Sequence, residues 1–226
     1  MIVHKYQRKG DYHTATNQEC QDVISYVETE EYALAVIADG VTACKYSKIG
    51  AGLSCEAVKD FVKLEGSNLF HYPPAKTAYL LVEHILFFLE RKAAMCNHDI
   101  NEYASTLAFA LVEKESGKTV LGNLGDGAVL LLAESGRKLL LTPKRHFGQP
   151  CLTTTGDAYK SLSLKQINLS LDDTLLLCTD GFLHASWPFL KKLDGDVNIY
   201  EQLDSALDLS CEQDDCSYIM VTRTRR

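Results

Sequence analysis

The chain has 226 residues, 46% of them hydrophobic, which is enough to build one domain with a substantial buried core. Its formal net charge is −7 and its pI is about 5.5. This acidic balance argues against a nucleic-acid-binding protein, which usually carries a basic patch or stripe. We therefore expect no nucleic-acid partner, and we expect residues 1–226 to form a single domain.

The eight cysteines lack the spacing of a redox or zinc motif, because no two of them form a C-x-x-C pair. The opening residues Met1–Lys5 are not followed by an apolar segment, so the sequence predicts no secretory signal. Reduced thiols in a cytoplasmic protein are then expected. The most apolar stretch, Tyr79–Leu89, is too short to span a bilayer, and we expect no membrane partner.

In the first half of the chain, apolar periodicity predicts strands followed by a pair of helices. The predicted elements are strands at Ile2–Tyr6, Val23–Val27 and Tyr32–Ala38, and helices at Ser47–Leu64 and Lys76–Cys96. The buried face of the first helix is expected to consist of Ile49, Leu53, Ala57 and Phe61. In the second helix that face is expected to consist of Val82, Ile85 and Leu89, with Leu81 and Phe88 adjacent. Pro73-Pro74 separates the two helices.

After residue 97 the sequence becomes rich in strands, with Ser-Gly turn signals that predict hairpins. The predicted strands are Thr106–Glu113, Thr119–Leu124, Ala128–Ala133, Lys138–Leu141, Ser163–Leu169, Thr174–Thr179 and Ser217–Thr222. Helical pieces are expected near Leu183–Leu193 and Tyr200–Leu209, and Pro143–Lys160 is expected to be a long irregular loop. This order is not βαβ alternation, so it predicts antiparallel sheets with helices packed outside, an α+β layered architecture.

Two apolar runs end in Asp-Gly, at Asp39-Gly40 and at Asp180-Gly181. Burying a lone carboxylate is costly, so an acid at the end of a buried strand needs a reason. A third acidic element, Asp214-Asp215, precedes the last strand. If the three elements converge, their oxygens would suit a hard divalent cation such as Mg²⁺ or Mn²⁺.

Other motifs argue against competing chemistries. Asp126-Gly127 lies between two closely spaced strand-like runs, so we expect it to be a hairpin turn. The sequence contains no G-x-S-x-G elbow, no P-loop and no G-x-G-x-x-G fingerprint. The seven histidines are scattered without the spacing of zinc ligands.

Taken in order, seven short motifs resemble the metal-dependent serine/threonine phosphatases of the protein phosphatase type 2C family, in their compact bacterial form. The sixth motif is the segment from Asp173-Thr174 to Asp180-Gly181. The other six, in chain order, are Gln21-Asp22, Ala38-Asp39-Gly40-Val41, Ala104-Ser105-Thr106-Leu107-Ala108, Asn123-Leu124-Gly125-Asp126, Leu141-Thr142 and Asp214-Asp215-Cys216-Ser217. The resemblance implies a four-layer α-β-β-α sandwich, in which two antiparallel sheets are flanked by helix pairs.

The resemblance also implies site residues and an activity. Asp39 would bridge two Mg²⁺ or Mn²⁺ ions, the Gly40 carbonyl would bind one of them, and Asp180 and Asp214 would be further metal ligands. Asp22 would order water near the ions, acting with Asp39 in catalysis. The implied reaction is hydrolysis of phosphoserine and phosphothreonine by in-line attack of a metal-bridging water. The implied substrates are phosphorylated proteins, so the enzyme would oppose a serine/threonine kinase in signalling.

Two departures from the family pattern concern charge, the first near a metal ion and the second near the phosphate. Gln21 stands where the family commonly has Glu, and the phosphate-binding Arg is missing. His13 is the candidate replacement, although it lacks the bidentate fork of Arg, and a surface position without function is the alternative. Arg8 is the nearest Arg. Asp215 stands where the family usually has Asn.

Two more features of the resemblance stay open at this point. The acid for a third ion would fall near Asn101, with Asp99 or Glu102 as substitutes. The loop at 143–160 would be a basic substrate flap carrying Lys144, Arg145, His146 and Lys160, or an ordinary solvated loop. The alternatives to an active protein phosphatase are a regulatory or binding module with weak or no catalysis, and a small-molecule phosphomonoesterase on another fold.

Overall fold

Strand β3 (Tyr32–Ala38) shows how the chain is layered in the computed structural model. Successive side chains of a strand point to opposite faces, and here both faces are buried. Leu34 and Val36 pack into one apolar cluster, whereas Ala35 and Ile37 pack into another. The structure describes residues 1–133, 136–142, 145–146, 149–150, 152–190, 199–208 and 212–224.

Two five-stranded antiparallel sheets form the centre of the fold. The first contains, in spatial order, β10 (Ser163–Asn168), β5 (Lys118–Leu124), β4 (Leu107–Glu113), β3 and β2 (Val23–Glu28). The second contains β1 (Ile2–Arg8), β12 (Cys216–Thr222), β11 (Thr174–Cys178), β6 (Ala128–Ala133) and β7 (Gly136–Leu141). Their facing surfaces enclose a core that includes Ile37, Leu121, Leu177 and Ile219.

A pair of helices covers the outer face of each sheet. Helices α2 (Ser47–Glu65) and α3 (Pro74–Cys96) pack on the first sheet. Helices α5 (Asp180–Leu190) and α6 (Ile199–Asp208) pack on the second. This is the predicted four-layer α-β-β-α sandwich, so the α+β fold class expected from the sequence is confirmed.

The buried face of α2 differs from the predicted one. Ile49 is 43% exposed, and Leu53 is only half-buried. The helix instead buries small residues together with its larger apolar ones: Ser47, Gly50, Ala51, Ser54, Cys55, Ala57, Val58, Phe61 and Val62. Four-residue spacing in the sequence does not show which side of a helix meets the sheet. In the structure the side of α2 that carries small residues is buried, because small side chains allow the helix to pack closely.

Several short elements were not expected from the sequence. A five-residue helix, α1 (Asp11–Ala15), follows β1, and 3₁₀ turns form at Gly66–Phe70 and Ile100–Tyr103. The expected irregular loop at 143–160 is partly regular. Its described residues include a two-residue pairing of β8 (Arg145–His146) with β9 (Gln149–Pro150) and a short helix α4 (Ala158–Ser161). Lys144 lies outside the described residues.

The described residues contain free thiols at Cys20, Cys44, Cys55, Cys96, Cys178 and Cys216. None of the helices in this part of the chain combines the length and the hydropathy needed to cross a bilayer.

Gly50 and Gly52 provide a test of how closely α2 packs. A Cβ on Gly50 would lie 1.9 Å from the backbone oxygen of Tyr103, whereas a Cβ on Gly52 would have no heavy atom within 4 Å. We expect Gly50→Ala to lower the free energy of unfolding by more than about 2 kcal/mol, because backbone must move. The matched change Gly52→Ala should raise it by roughly 0.5–1 kcal/mol, since Ala favours a helix interior. Urea unfolding measures both changes, and equal effects would contradict the close packing at Gly50.

Candidate metal centre

Asp39 directly follows β3, and its backbone is held from the neighbouring chain segment. Its N–H donates to Thr106 Oγ1 at 3.3 Å, and its carbonyl accepts from the N–H of Thr106 at 2.8 Å. Gly40 forms a bridge with Ser105, whose hydroxyl lies 3.1 Å from both Ser54 Oγ and Thr153 Oγ1. The backbone that carries the half-buried Asp39 carboxylate is therefore held in place by hydrogen bonds to its neighbours.

Asp180 follows the second sheet in the same way. It comes two residues after the end of β11 and is the first residue of α5, where a carboxylate interacts favourably with the helix dipole. Gly181 lies tightly against the chain near the last strand, since a Cβ there would be 2.2 Å from the backbone oxygen of Asp215. Asp180 is thereby fixed between β11 and the Asp214-Asp215 segment.

Asp126 is not part of a hairpin, which corrects the expectation from the sequence. The strands on either side of it, β5 and β6, belong to different sheets, so Gly125-Asp126-Gly127 crosses between the sheets. Gly125 has φ +108°, a conformation that favours glycine. A Cβ at Gly127 would lie 2.6 Å from the Cys178 backbone oxygen. The crossing brings Asp126, which is only 5% exposed, beside the ends of β3 and β11.

The carboxylates of Asp39, Asp126 and Asp180 converge, with one oxygen from each lying within 4.8 Å of the others. Burial, followed by the nearby Asp126 and Asp214, raises the pKa of Asp180 to about 6, while His184 opposes that rise. Burial and the neighbouring acids raise the pKa of Asp39 well above its ordinary value. An all-oxygen, anionic group of this kind fits a hard divalent cation such as Mg²⁺ or Mn²⁺.

Asp22 lies directly behind Asp39 and is completely buried. Its Oδ2 accepts from Thr179 Oγ1 at 3.2 Å, and its charge raises the pKa of the neighbouring Asp39. Burial is the main cause that raises the pKa of Asp22 to about 8, and Asp215 adds to it. Burial and the repulsion between the two carboxylates thus favour the protonated form of this pair in the absence of a cation.

Asp214 and Asp215 point to different surroundings. Asp214 is half-buried, and its charge raises the pKa of both Asp39 and Asp180, so it lies beside the acidic group. Its Oδ1 accepts from the Asp215 N–H at 2.9 Å. Asp215 is 2% exposed and is bonded to backbone groups of the N-terminal segment. Of the two residues, Asp214 is therefore the one that lies next to the carboxylates of Asp39 and Asp180.

His13 is buried rather than at the surface, with an exposure of 1%. Its Nδ1 lies 3.0 Å from Asp215 Oδ2. Gln21 is also buried, with its N–H bonded to the same carboxylate. Arg8, the nearest Arg in the sequence, donates to the backbone oxygen of Leu207.

The residues expected near a third ion make hydrogen bonds of their own and are not part of the group formed by Asp39, Asp126 and Asp180. Asp99 Oδ1 accepts from both the backbone and the side-chain nitrogen of Asn101 at 3.0 Å and begins the 3₁₀ turn there. Glu102 Oε2 accepts from the Lys45 N–H at 2.7 Å. The acid that joins Asp39 and Asp180 in the structure is Asp126 instead. Its position in Asn123-Leu124-Gly125-Asp126, one of the seven motifs, was the signal available in the sequence.

The raised pKa values predict how pH affects the metal-free protein. The unfolded chain ionises these carboxyls near pH 4, whereas the folded chain holds protons on Asp180 to about pH 6 and on Asp22 to about pH 8. Stability from these groups is full below pH ~4 and is lost as pH rises through the folded values.

We therefore expect the Tm in EDTA to fall between about pH 5 and pH 8, and to fall less in Asp39→Asn, which removes one repelling charge. Adding Mn²⁺ at the higher pH should restore the Tm of the wild-type chain. Scanning calorimetry measures these shifts, and a Tm that rises or stays level across this range in EDTA would contradict the expectation.

Comparisons with known proteins agree with this fold. Three solved structures are similar: a "bacterial serine phosphatase", "RsbX in complex with magnesium", and "Serine/threonine phosphatase Stp1 from Staphylococcus aureus". The first is 17% identical with a TM-score of 0.73, over 100% of this chain and 99% of that one. RsbX is 15% identical with a TM-score of 0.63, over 96% and 92%, and Stp1 is 16% identical with a TM-score of 0.69, over 98% and 94%.

No match was found among curated protein sequences. The sequence model described as "Protein phosphatase 2C" matches residues 9–209, a span that includes Asp39, Asp126 and Asp180. The chain therefore belongs to the protein phosphatase 2C family, as the order of its motifs predicted.

Proposed function

We propose that this protein is a metal-dependent phosphatase that hydrolyses phosphoserine and phosphothreonine in proteins. The observation that carries the proposal is the convergence of Asp39, Asp126 and Asp180 within 4.8 Å, in a chain that belongs to the protein phosphatase 2C family. Burial and neighbouring acids raise the pKa of Asp39 and of Asp180, so this group of carboxylates is an unfavourable arrangement that a divalent cation would relieve. The fold brings them together at the cost of that repulsion.

In this proposal Asp39, Asp126, Asp180 and Asp214 hold Mg²⁺ or Mn²⁺, and the Gly40 carbonyl is a further ligand. Divalent cations in such a site activate water and offset the charge of a phosphoryl group. Asp39 and Asp180 are half-buried, so the group is accessible from solvent at one side. Asp22, completely buried next to Asp39, adds negative charge that would be offset by the bound cation.

The biological setting is part of the same proposal. The substrates would be phosphoproteins made by a serine/threonine kinase, because the chain belongs to a family of protein phosphatases. A cytoplasmic location fits the free thiols at the described cysteines, since a reducing compartment keeps thiols unpaired.

Asp126→Asn gives a direct test. We expect it to lower Mn²⁺-dependent turnover of p-nitrophenyl phosphate and of a phosphothreonine peptide by at least about 100-fold, or roughly 2.7 kcal/mol of transition-state stabilisation. Asp39→Asn should lose at least as much. The control is Asp172→Asn, because Asp172 is an exposed turn residue with φ +67° and Asn tolerates that conformation. Full activity in Asp126→Asn would remove that residue from the site.

A second candidate function is a phosphopeptide-binding or regulatory module with weak or no catalysis. Buried Gln21 and buried His13 favour it, because neither the acid nor the exposed basic group expected near the phosphate is available from that segment. Calorimetry with Mn²⁺ and a phosphothreonine peptide separates the two functions. Folded wild-type protein that binds Mn²⁺ and the peptide without hydrolysing the peptide would establish the binding module and contradict the proposed phosphatase activity.

A further inference from the structure

The carboxylate of Asp215 is the point where three separate chain segments meet. It is 2% exposed, with Oδ1 accepting from the Gly10 N–H at 2.8 Å and Oδ2 accepting from the Gln21 N–H at 2.6 Å. Nδ1 of His13 lies 3.0 Å from Oδ2, and the His13 ring is 1% exposed. One buried carboxylate thus joins the turn after β1, helix α1 and the segment before β2 to the start of β12.

The first of these connections fixes the neighbouring acid, Asp214. A Cβ on Gly10 would lie 2.4 Å from the backbone carbon of Asp214, so the two backbones are in direct contact. The N–H groups of Asp11 and Tyr12 donate to the carbonyls of Glu212 and Gln213 at 3.0 and 3.1 Å. The backbone before Asp214 is therefore bonded to α1. The Asp215 carboxylate, which follows Asp214, is bonded to the same N-terminal segment through the Gly10 N–H.

The second connection fixes Asp22, through the preceding residue Gln21. The Gln21 N–H is held by Asp215, and the Asp22 carbonyl accepts from Lys48 Nζ at 3.1 Å and from Gln7 Nε2 at 2.8 Å. With its backbone held from both sides, Asp22 reaches the Asp39 carboxyl. Asp215 therefore lies between two groups that adjoin the cation site, Asp214 and Asp22, without joining the Asp39 group itself.

We propose that Asp215, supported by His13, is a positioning residue that sets the metal affinity of this centre by holding Asp214 and Asp22 in register. The inference rests on the proposed function. In this chain, unlike family members that have Asn at this position, each carboxylate oxygen accepts from a different backbone N–H, whereas an Asn side chain would offer only one acceptor oxygen. Its amide nitrogen would face an N–H group and leave that buried donor without a partner.

Asp215→Asn tests this role. We expect it to weaken Mn²⁺ binding measured by calorimetry by about 10- to 100-fold, the usual effect of removing a group that orients metal ligands. If turnover is measurable, kcat should fall while KM for p-nitrophenyl phosphate changes by less than about twofold. His13→Leu should act in the same direction, whereas His13→Asn, whose amide can replace Nδ1, should retain most of the affinity.

Asp60→Asn is the matched control, because Asp60 Oδ2 lies 2.9 Å from His84 Nε2 in a His–Asp pair between α2 and α3. It should leave Mn²⁺ affinity unchanged. Folded Asp215→Asn that binds Mn²⁺ like the wild type would overturn the proposal, as would equal losses in Asp60→Asn. If Asp215→Asn does not fold, the His13→Leu and His13→Asn pair decides by the same criterion. Wild-type protein that binds Mn²⁺ but hydrolyses nothing defeats only the phosphatase function, and the affinities still test Asp215.

Discussion

Repulsion among carboxylates at one end of the sandwich is the constraint on which the rest of the site depends. Asp22, Asp39, Asp126, Asp180 and Asp214 come from five separate parts of the chain, and each has a raised pKa or raises that of a neighbour. Left alone, such a group would move apart or take up protons. Here the backbone at Asp39, Gly127 and Gly181 is too tightly bonded or packed to move. Protons and cations are the remaining ways to neutralise the charge, and they compete for the same oxygens.

The two-sheet architecture explains why the acids meet. Asp39 leaves the first sheet at the end of β3, and Asp180 leaves the second after β11. Asp126 lies on the connection between the sheets, so it reaches both. A face-to-face sandwich therefore delivers carboxylates from each layer to the same edge, while the apolar residues that precede them fill the core.

The sequence predicted the parts of this site that depend on local pattern. Apolar runs ending in Asp-Gly placed Asp39 and Asp180 at strand ends, since a buried strand and a charged end are both local features. Asp126 was mistaken for a hairpin turn because flanking strands look the same whether they pair with each other or join different sheets. The burial of His13 was equally hidden, because its partner Asp215 lies about two hundred residues further along the chain. Which face of α2 meets the sheet also depended on packing against Tyr103, which periodicity does not report.

The position of β12 has a consequence for the order in which the molecule is made. This strand comes after all the others in the chain, yet it lies inside its sheet, between β1 and β11. Until it is inserted, β1 has no neighbour in that sheet, and the N-terminal segment lacks the Asp215 carboxylate that holds it. A growing chain on the ribosome can therefore complete neither the second sheet nor the hydrogen bonds of Asp215 until β12 has emerged. A chain whose translation stops before Asp214 lacks that acid and leaves β1 unpaired in its sheet.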